Sequence, residues 1–214
     1  MSTAQTPAGE RRVMAYIDGF NLYFGLKASN YQRYLWLDLV ALAGNLTQGT
    51  DGVVGVRYFT SLISGPPAKR QRQTTYLEAL QTHCGAMLRI LYGKYQTEDR
   101  MCRQCGSVSP VPSEKKTDVN IAVEMMVDAY SDAFDTAFLV TADSDLLPPL
   151  EAIRRLFPQK RIVVAFPPGR NSMDLRRAAQ AFFTIGRAKF ARSQLPESVV
   201  KPNGTVLTRP PTWT

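Results

Sequence analysis

The sequence predicts an α/β fold, with a central, mainly parallel sheet covered by helices on both faces. Three observations predict it. Through the second half of the chain, apolar runs of strand length alternate with helical stretches, the signature of βαβ units. The run Val13-Met14-Ala15-Tyr16-Ile17 is continuously apolar, as a buried strand requires. Acidic residues then follow the apolar runs, at Asp18 and at Asp143, the edge on which open α/β sheets carry their sites.

The elements follow in order. Residues 13–17 form the first strand, Asp18-Gly19-Phe20-Asn21 a turn, and Leu22 to Lys27 the start of a helix. Trp36 to Leu46 carries a helical apolar pattern. Val53 to Ile63 is strand-like, rich in β-branched and aromatic residues, until Ser64-Gly65-Pro66-Pro67 breaks it. Ala68 to Cys84 is a basic helix with Tyr76, Leu77 and Leu80 as its apolar stripe, and Gly85 stops it. Met87 to Tyr95 is a strand, and Gln96 to Lys116 an irregular, Cys-containing loop insertion. Asp118–Tyr130 is a helix, Thr136–Thr141 a strand, and Asp145–Phe157 a helix. Arg161–Phe166 is a strand, Ser172–Ala181 a helix, and Phe182–Ile185 a short last strand. Residues 1–11 read as a flexible N-terminus, 12–190 as one domain, and 191–214 as a loose Pro- and Thr-rich tail.

Composition narrows the function. The chain has 214 residues, enough for one full core, and 44% are apolar. With 26 Lys and Arg against 18 Asp and Glu, its formal charge is +8, which favours an acidic partner such as nucleic acid. No apolar run reaches membrane-spanning length and the first residues lack a signal-peptide core, so the expectation is a cytoplasmic protein with no membrane partner. Its three cysteines form no disulfide framework. A single histidine, His83, removes most histidine-based catalysis.

In a basic chain, carboxylates gathered at strand ends point to a divalent cation and a polyanion. Asp18 and Asp143 each follow a strand, Asp145 stands two residues on, and Asp118 opens a helix. Converging carboxylates repel one another and raise at least one pKa. Mg²⁺ or Mn²⁺, which prefer hard oxygen ligands, relieves that repulsion and activates water against a phosphodiester. Taken singly, each acid also reads as a turn residue or a helix N-terminal residue, with Ser144 as an N-cap.

Three motifs then carry a resemblance. Tyr16-Ile17-Asp18-Gly19-Phe20-Asn21-Leu22, Lys115-Lys116-Thr117-Asp118-Val119 and Val140-Thr141-Ala142-Asp143-Ser144-Asp145 stand in order at family-like distances. Together they resemble the NYN domain family of PIN-like nucleases (the LabA-like branch) over about residues 12–190. The resemblance implies a PIN-like, Rossmann-like three-layer α/β/α fold and a metal-dependent ribonuclease acting on RNA. By position, Asp18, Asp118, Asp143 and Asp145 are the implied metal ligands. Asn21 is implied to orient a phosphate or a water, and Glu124 to be an outer acid where many relatives have Asp. Ala142 departs from the family's usual Gly. Some relatives carry a pyridine-ring hydroxylase label, but no glycine-rich dinucleotide fingerprint follows a strand here.

Other candidates lie around this set. Lys116 and Arg170 are expected on the acidic rim as substrate contacts, with Ser144 beside them. Phe20 is a candidate to stack on a base, among Tyr16, Tyr23 and Phe24, which also suit core packing. Lys69, Arg70, Arg72, Arg154, Arg155, Lys160, Arg161, Arg176 and Arg177 are further phosphate candidates or solvated charges. Cys102 and Cys105 make half a zinc knuckle that only Cys84 and His83, or a second copy of the chain in a homodimer, complete; the alternative is free thiols. Besides the RNA hydrolase, a non-catalytic RNA-binding module and a metal phosphatase or nucleotidyl enzyme on small phosphates remain open.

Overall fold

The computed structural model describes residues 11–47, 51–101 and 104–213. Among these, the core is a six-stranded parallel sheet in the order β3-β2-β1-β6-β7-β8. Strand β1 (Arg12–Asp18) sits inside it, pairing with β2 (Gly52–Thr60) on one side and β6 (Thr136–Val140) on the other. β3 (Leu88–Tyr92) closes one edge, and β7 (Arg161–Phe166) and β8 (Ala181–Thr184) complete the other half. The chain builds outward from β1 through β2 to β3, then crosses back to β6. The switch point lies between β1 and β6.

Both faces are covered, giving three α/β/α layers. Alternate residues of β1 feed the two sides, because successive strand side chains point oppositely. Val13, Ala15 and Ile17 join one core with α1 (Gly19–Ala28), α2 (Leu39–Leu46), α3 (Pro67–Cys84) and α7 (Arg187–Arg192). Met14 and Tyr16 join the other with α4 (Thr117–Tyr130), α5 (Leu147–Leu156) and α6 (Met173–Ala178). Each face thus has a dry core built from β-branched, Leu and aromatic side chains.

Several elements differ from the sequence expectation, each for a local reason. α2 starts at Leu39, not Trp36, because Asp38 caps it, accepting from the Val40 and Ala41 amides at 2.9 Å. Trp36 is fully buried instead and donates its indole N–H to the Pro196 carbonyl at 2.8 Å. The strand expected over 87–95 stops at Tyr92, where the Gly93 amide turns to the Thr60 carbonyl at 2.8 Å.

The expected irregular loop 96–116 is a two-stranded antiparallel hairpin of β4 (Lys94–Met101) and β5 (Val108–Lys115). Pro110 and Pro112 obscured it. They stand two residues apart on one side of the ribbon, opposite Asp99 and Thr97, and a lone ribbon has an unpaired edge that needs no N–H donor.

The expected loose tail is also ordered within the described residues. Its strands β9 (Ser198–Val200) and β10 (Val206–Thr208) pair antiparallel. Trp213 then packs on Trp36 and Tyr76, with ring centroids 6.4 and 5.7 Å away.

Candidate functional site

The site forms at the carboxyl ends of β1 and β6, the switch point of the sheet. β1 delivers Asp18, and α1 begins at the next residue. One Asp18 oxygen accepts from the Asn21 amide at 3.0 Å, so the residue caps α1. Its other oxygen accepts from the Thr141 hydroxyl at 2.9 Å, and Thr141 Oγ1 in turn accepts from the Asp143 amide at 3.1 Å. A fully buried threonine just past β6 therefore ties Asp18 to the loop that carries Asp143. The Asn21 side-chain oxygen accepts from the Ala142 amide at 3.2 Å, a second tie between the two strand ends.

Gly19 makes this turn possible. A Cβ there would lie 2.6 Å from the Phe59 carbonyl oxygen and 2.8 Å from the Tyr58 ring. Opposite, Lys116 adopts a left-handed conformation with φ 76° and turns the chain from β5 into α4. Asp118 stands in the first turn of α4, where the helix dipole favours negative charge.

These residues surround a polar pocket of about 160 Å³ lined by Asp18, Asn21, Thr117, Asp118 and Asp143, with Phe20, Phe24 and Arg170 on its wall. Burial pushes the Asp118 carboxyl up to about 6, with further contributions from the charges of Asp143, Asp18 and Asp145. Asp145 contributes least of the three. Its side chain is exposed and does not line the pocket, while its amide donates to Asp143 Oδ1 at 3.0 Å.

The set therefore divides. Asp18, Asn21, Asp118, Asp143, Arg170 and Phe20 share one pocket; Lys116, Ser144 and Asp145 are exposed outside its lining. Glu124 faces elsewhere, two turns along α4, paired with Arg89 at 3.0 Å and Arg57 at 3.8 Å. Thr141 and Thr117 were missed by sequence reasoning. Thr141 ends an apolar run and looks like an ordinary strand residue; its role needs the β1–β6 neighbourhood, which spacing alone does not reveal.

The donor set fits a hard divalent cation. The lining offers carboxylate, amide and hydroxyl oxygens, with no thiol or imidazole among them. Among the described residues no three acidic, His or Cys side chains already close on a common point.

His83 and Cys84, at the end of α3, both turn to Asp38, at 3.2 Å (Nε2) and 3.6 Å (Sγ). Burial, then Asp38, pushes the Cys84 thiol up to about 12, so it stays protonated. Cys105 is exposed in the turn at the far end of the hairpin, which leaves the opposite end of β3. Cys102, the other half of the expected zinc pair, lies outside the described residues.

Several cations proposed for phosphate are structural. Lys160 is 2% exposed at the amino end of the sheet, bonded to Asp132 and to the Phe134 carbonyl, both at 2.6 Å. Arg154 donates to the Ala178 carbonyl, and Arg176 lies over the rings of Phe166 and Phe182 at 5.6 and 5.0 Å.

Comparisons with known proteins agree with this architecture. A family model, NYN domain, matches residues 12–186. The chain is similar to a 6-hydroxy-3-succinoylpyridine 3-monooxygenase, HspA, of Pseudomonas putida. The two are 26% identical over 239 residues, covering 94% of this chain and 75% of that protein. A crystal structure of a protein of unknown function from Vibrio parahaemolyticus shares the fold at a TM-score of 0.54. It is 19% identical, and the match covers 89% of this chain and 100% of that one.

Proposed function

The chain belongs to the NYN domain family, and from that premise we propose that it is a divalent-metal-dependent ribonuclease acting on single-stranded RNA. The observation that carries the reading is the pocket that Asp18, Asp118 and Asp143 line together with Arg170, in which the half-buried Asp118 is pushed up first by burial and then by the charges of Asp143, Asp18 and Asp145. Unrelieved crowding of this kind weakens a fold, and a bound cation relieves it.

Asp18, Asp118 and Asp143 would hold Mg²⁺ or Mn²⁺, with Asp145 on the outer rim. When bound, such an ion supplies charge neutralisation at the phosphodiester and acidifies water for attack. The chain's own residues do the rest. Arg170 offers a guanidinium to the non-bridging phosphate oxygens, to which its planar fork is matched. Asn21 spends its oxygen on Ala142, which leaves its amide N–H groups as donors toward substrate. Thr141 holds the Asp18 carboxylate against rotation. Phe20 presents an aromatic wall on which a base can stack.

The monooxygenase name of the Pseudomonas relative gives a second reading, ring hydroxylation of a pyridine-type acid. Full-chain similarity favours it. The hydrolase is preferred because the switch-point pocket is lined by carboxylates, which suit a cation and a phosphodiester.

The test is a substrate panel. Labelled single-stranded RNA, the matching DNA and a small phosphomonoester are each incubated with purified protein and Mn²⁺ or chelator. Oxygen uptake with a pyridine carboxylic acid and a reduced nicotinamide cofactor is followed in parallel. Manganese-dependent cleavage of RNA above DNA, without monoester hydrolysis or oxygen uptake, is expected. RNA bound but never cut points to a binding module, and turnover confined to the monoester or the pyridine acid overturns the reading.

A further inference from the structure

A second and larger cavity, of about 490 Å³, lies against the acidic pocket, and Phe20 and Phe24 line both. The first turns of α1 are the partition between them: Asp18 faces the acidic side, and Gly19, the next residue, lines the other. The cavity is deep enough for one flat ring system with an attached group, within the range of small-molecule sites. Its aromatic walls are Phe20, Tyr23, Phe24, Tyr58, Tyr76 and Trp213.

Its charge is one-sided. Lys27, Lys69 and Arg72 line it, and among the described residues no Asp or Glu side chain does. Among the described residues none of these three cations is in an ion pair, unlike Lys160, Arg57 and Lys201, which are. Lys69 and Arg72 come from the first turns of α3, the basic stretch that the acidic site leaves unexplained.

The walls are also held in place. Gln73 accepts from the Ile63 amide at 3.0 Å and donates to the Ser61 carbonyl at 2.8 Å, fixing the rim after β2. Tyr76 donates its hydroxyl to the Leu37 carbonyl at 2.8 Å. Arg209 clamps the Trp213 carbonyl at 2.7 and 3.1 Å and also reaches the Arg33 carbonyl, which keeps the indole over Tyr76 and Trp36.

We infer that this cavity is a nucleotide subsite of the RNA-cleaving site, taking the base of the residue next to the scissile phosphodiester and holding its phosphate on Lys69 and Arg72. The inference rests on the ribonuclease reading of the acidic pocket. Flat bases stack on aromatic side chains whatever their hydrogen-bonding edge, and a phosphate matches a cation cluster without a competing carboxylate. The shared wall of Phe20 and Phe24 makes the two pockets adjacent stations for one strand. A strand with its base in this cavity is thereby anchored beside the carboxylates.

The test is made in chelator, so that it does not depend on cleavage. Binding of uridine and adenosine 5′-monophosphate, the parent nucleosides and benzoate to wild-type protein is measured by calorimetry, with tryptophan fluorescence as the locator. Saturable binding of both monophosphates is expected, with fluorescence quenching that Trp213→Phe abolishes. The paired substitution Lys69→Ala with Arg72→Ala, on the surface of α3, should weaken monophosphates about tenfold or more and nucleosides little, because it removes only charge-assisted phosphate contacts. The measurement reads nucleotide binding alone, whether or not the protein cuts RNA. No saturable binding, binding indifferent to the paired substitution, or binding of benzoate in preference to both monophosphates would each overturn the subsite.

Discussion

Thr141 donates to Asp18 and accepts from the Asp143 amide, so one hydroxyl sets the relative position of two acids from different strands. Asp18 is engaged on both oxygens, which makes Asp18→Asn a poor probe: its amide would face one of two donors. Asp143 holds only an amide on Oδ1, so Asp143→Asn changes charge with little change in structure. Asp118 gives the pH signature. Its folded carboxyl is at about 6, above the ordinary 3.8, so the folded state binds its proton more tightly than the unfolded one. Stability therefore falls as pH rises from about 4 through about 6 and stays reduced above. In chelator, Asp118→Asn should melt higher than wild type at about pH 8 and lose that advantage at about pH 4. Equal melting temperatures at both would show that the carboxyl carries no such burden. Asp18, Asp143 and Asp118, which share the pocket, stood out in the sequence because the first two follow apolar runs and the third opens a helix, whereas Asp145 lies outside the pocket lining. Thr141 did not stand out, since nothing in spacing says that β1 and β6 are neighbours. Lys160 misled in the other direction: one more cation in a basic chain, it is buried at the opposite end of the sheet.

The strand-to-helix turn at Gly19 is the element on which the site depends. A methyl there meets the Phe59 carbonyl at 2.6 Å and the Tyr58 ring at 2.8 Å, and backbone cannot swing aside as a long side chain does. Gly19→Ala should cost about 1–3 kcal/mol in denaturant unfolding, in the range of overpacked cores. A cost below about 0.5 kcal/mol would mean that α1 shifts freely on the sheet. The inner strands β1, β6 and β7 were readable because both their faces are buried, leaving continuous apolar runs such as 13–17. The hairpin was not, because its sequence is polar and punctuated by Pro110 and Pro112, features that a solvated ribbon tolerates and a central strand does not. The C-terminal pair β9–β10 escaped for a similar reason. Its strands are three residues each, too short for a period to show.

Across the whole molecule, the two ends of the sheet divide the charge. At the amino end, Arg12 bonds Asp135 at 2.7 Å and Asp132 at 3.0 Å, and Lys160 joins Asp132 and the Phe134 carbonyl. That end locks chain ends of strands together and contributes stability. At the carboxyl end, burial and then the charges of Asp143, Asp18 and Asp145 raise Asp118, beside a cavity lined by cations. Lys160→Met should therefore destabilise the fold by about 1–3 kcal/mol, the cost of leaving the buried Phe134 carbonyl unpaired, while RNA affinity stays unchanged. Weakened RNA binding at wild-type stability would place the substrate path at the wrong end. The net charge of +8 fits a polyanionic partner, while the proposed chemistry rests on the carboxylates.

The most direct measurement is the single-turnover rate of cleavage of labelled single-stranded RNA across a Mn²⁺ titration, for wild-type and Asp143→Asn protein. Wild type should show a rate that rises and saturates with Mn²⁺ and vanishes in chelator. Asp143→Asn should be slower by about 100-fold or more at saturating metal, several kcal/mol of lost transition-state stabilisation. Equal rates for the two proteins, or wild-type cleavage that persists in chelator, would contradict the assignment of the switch-point acids as the metal-dependent catalytic site.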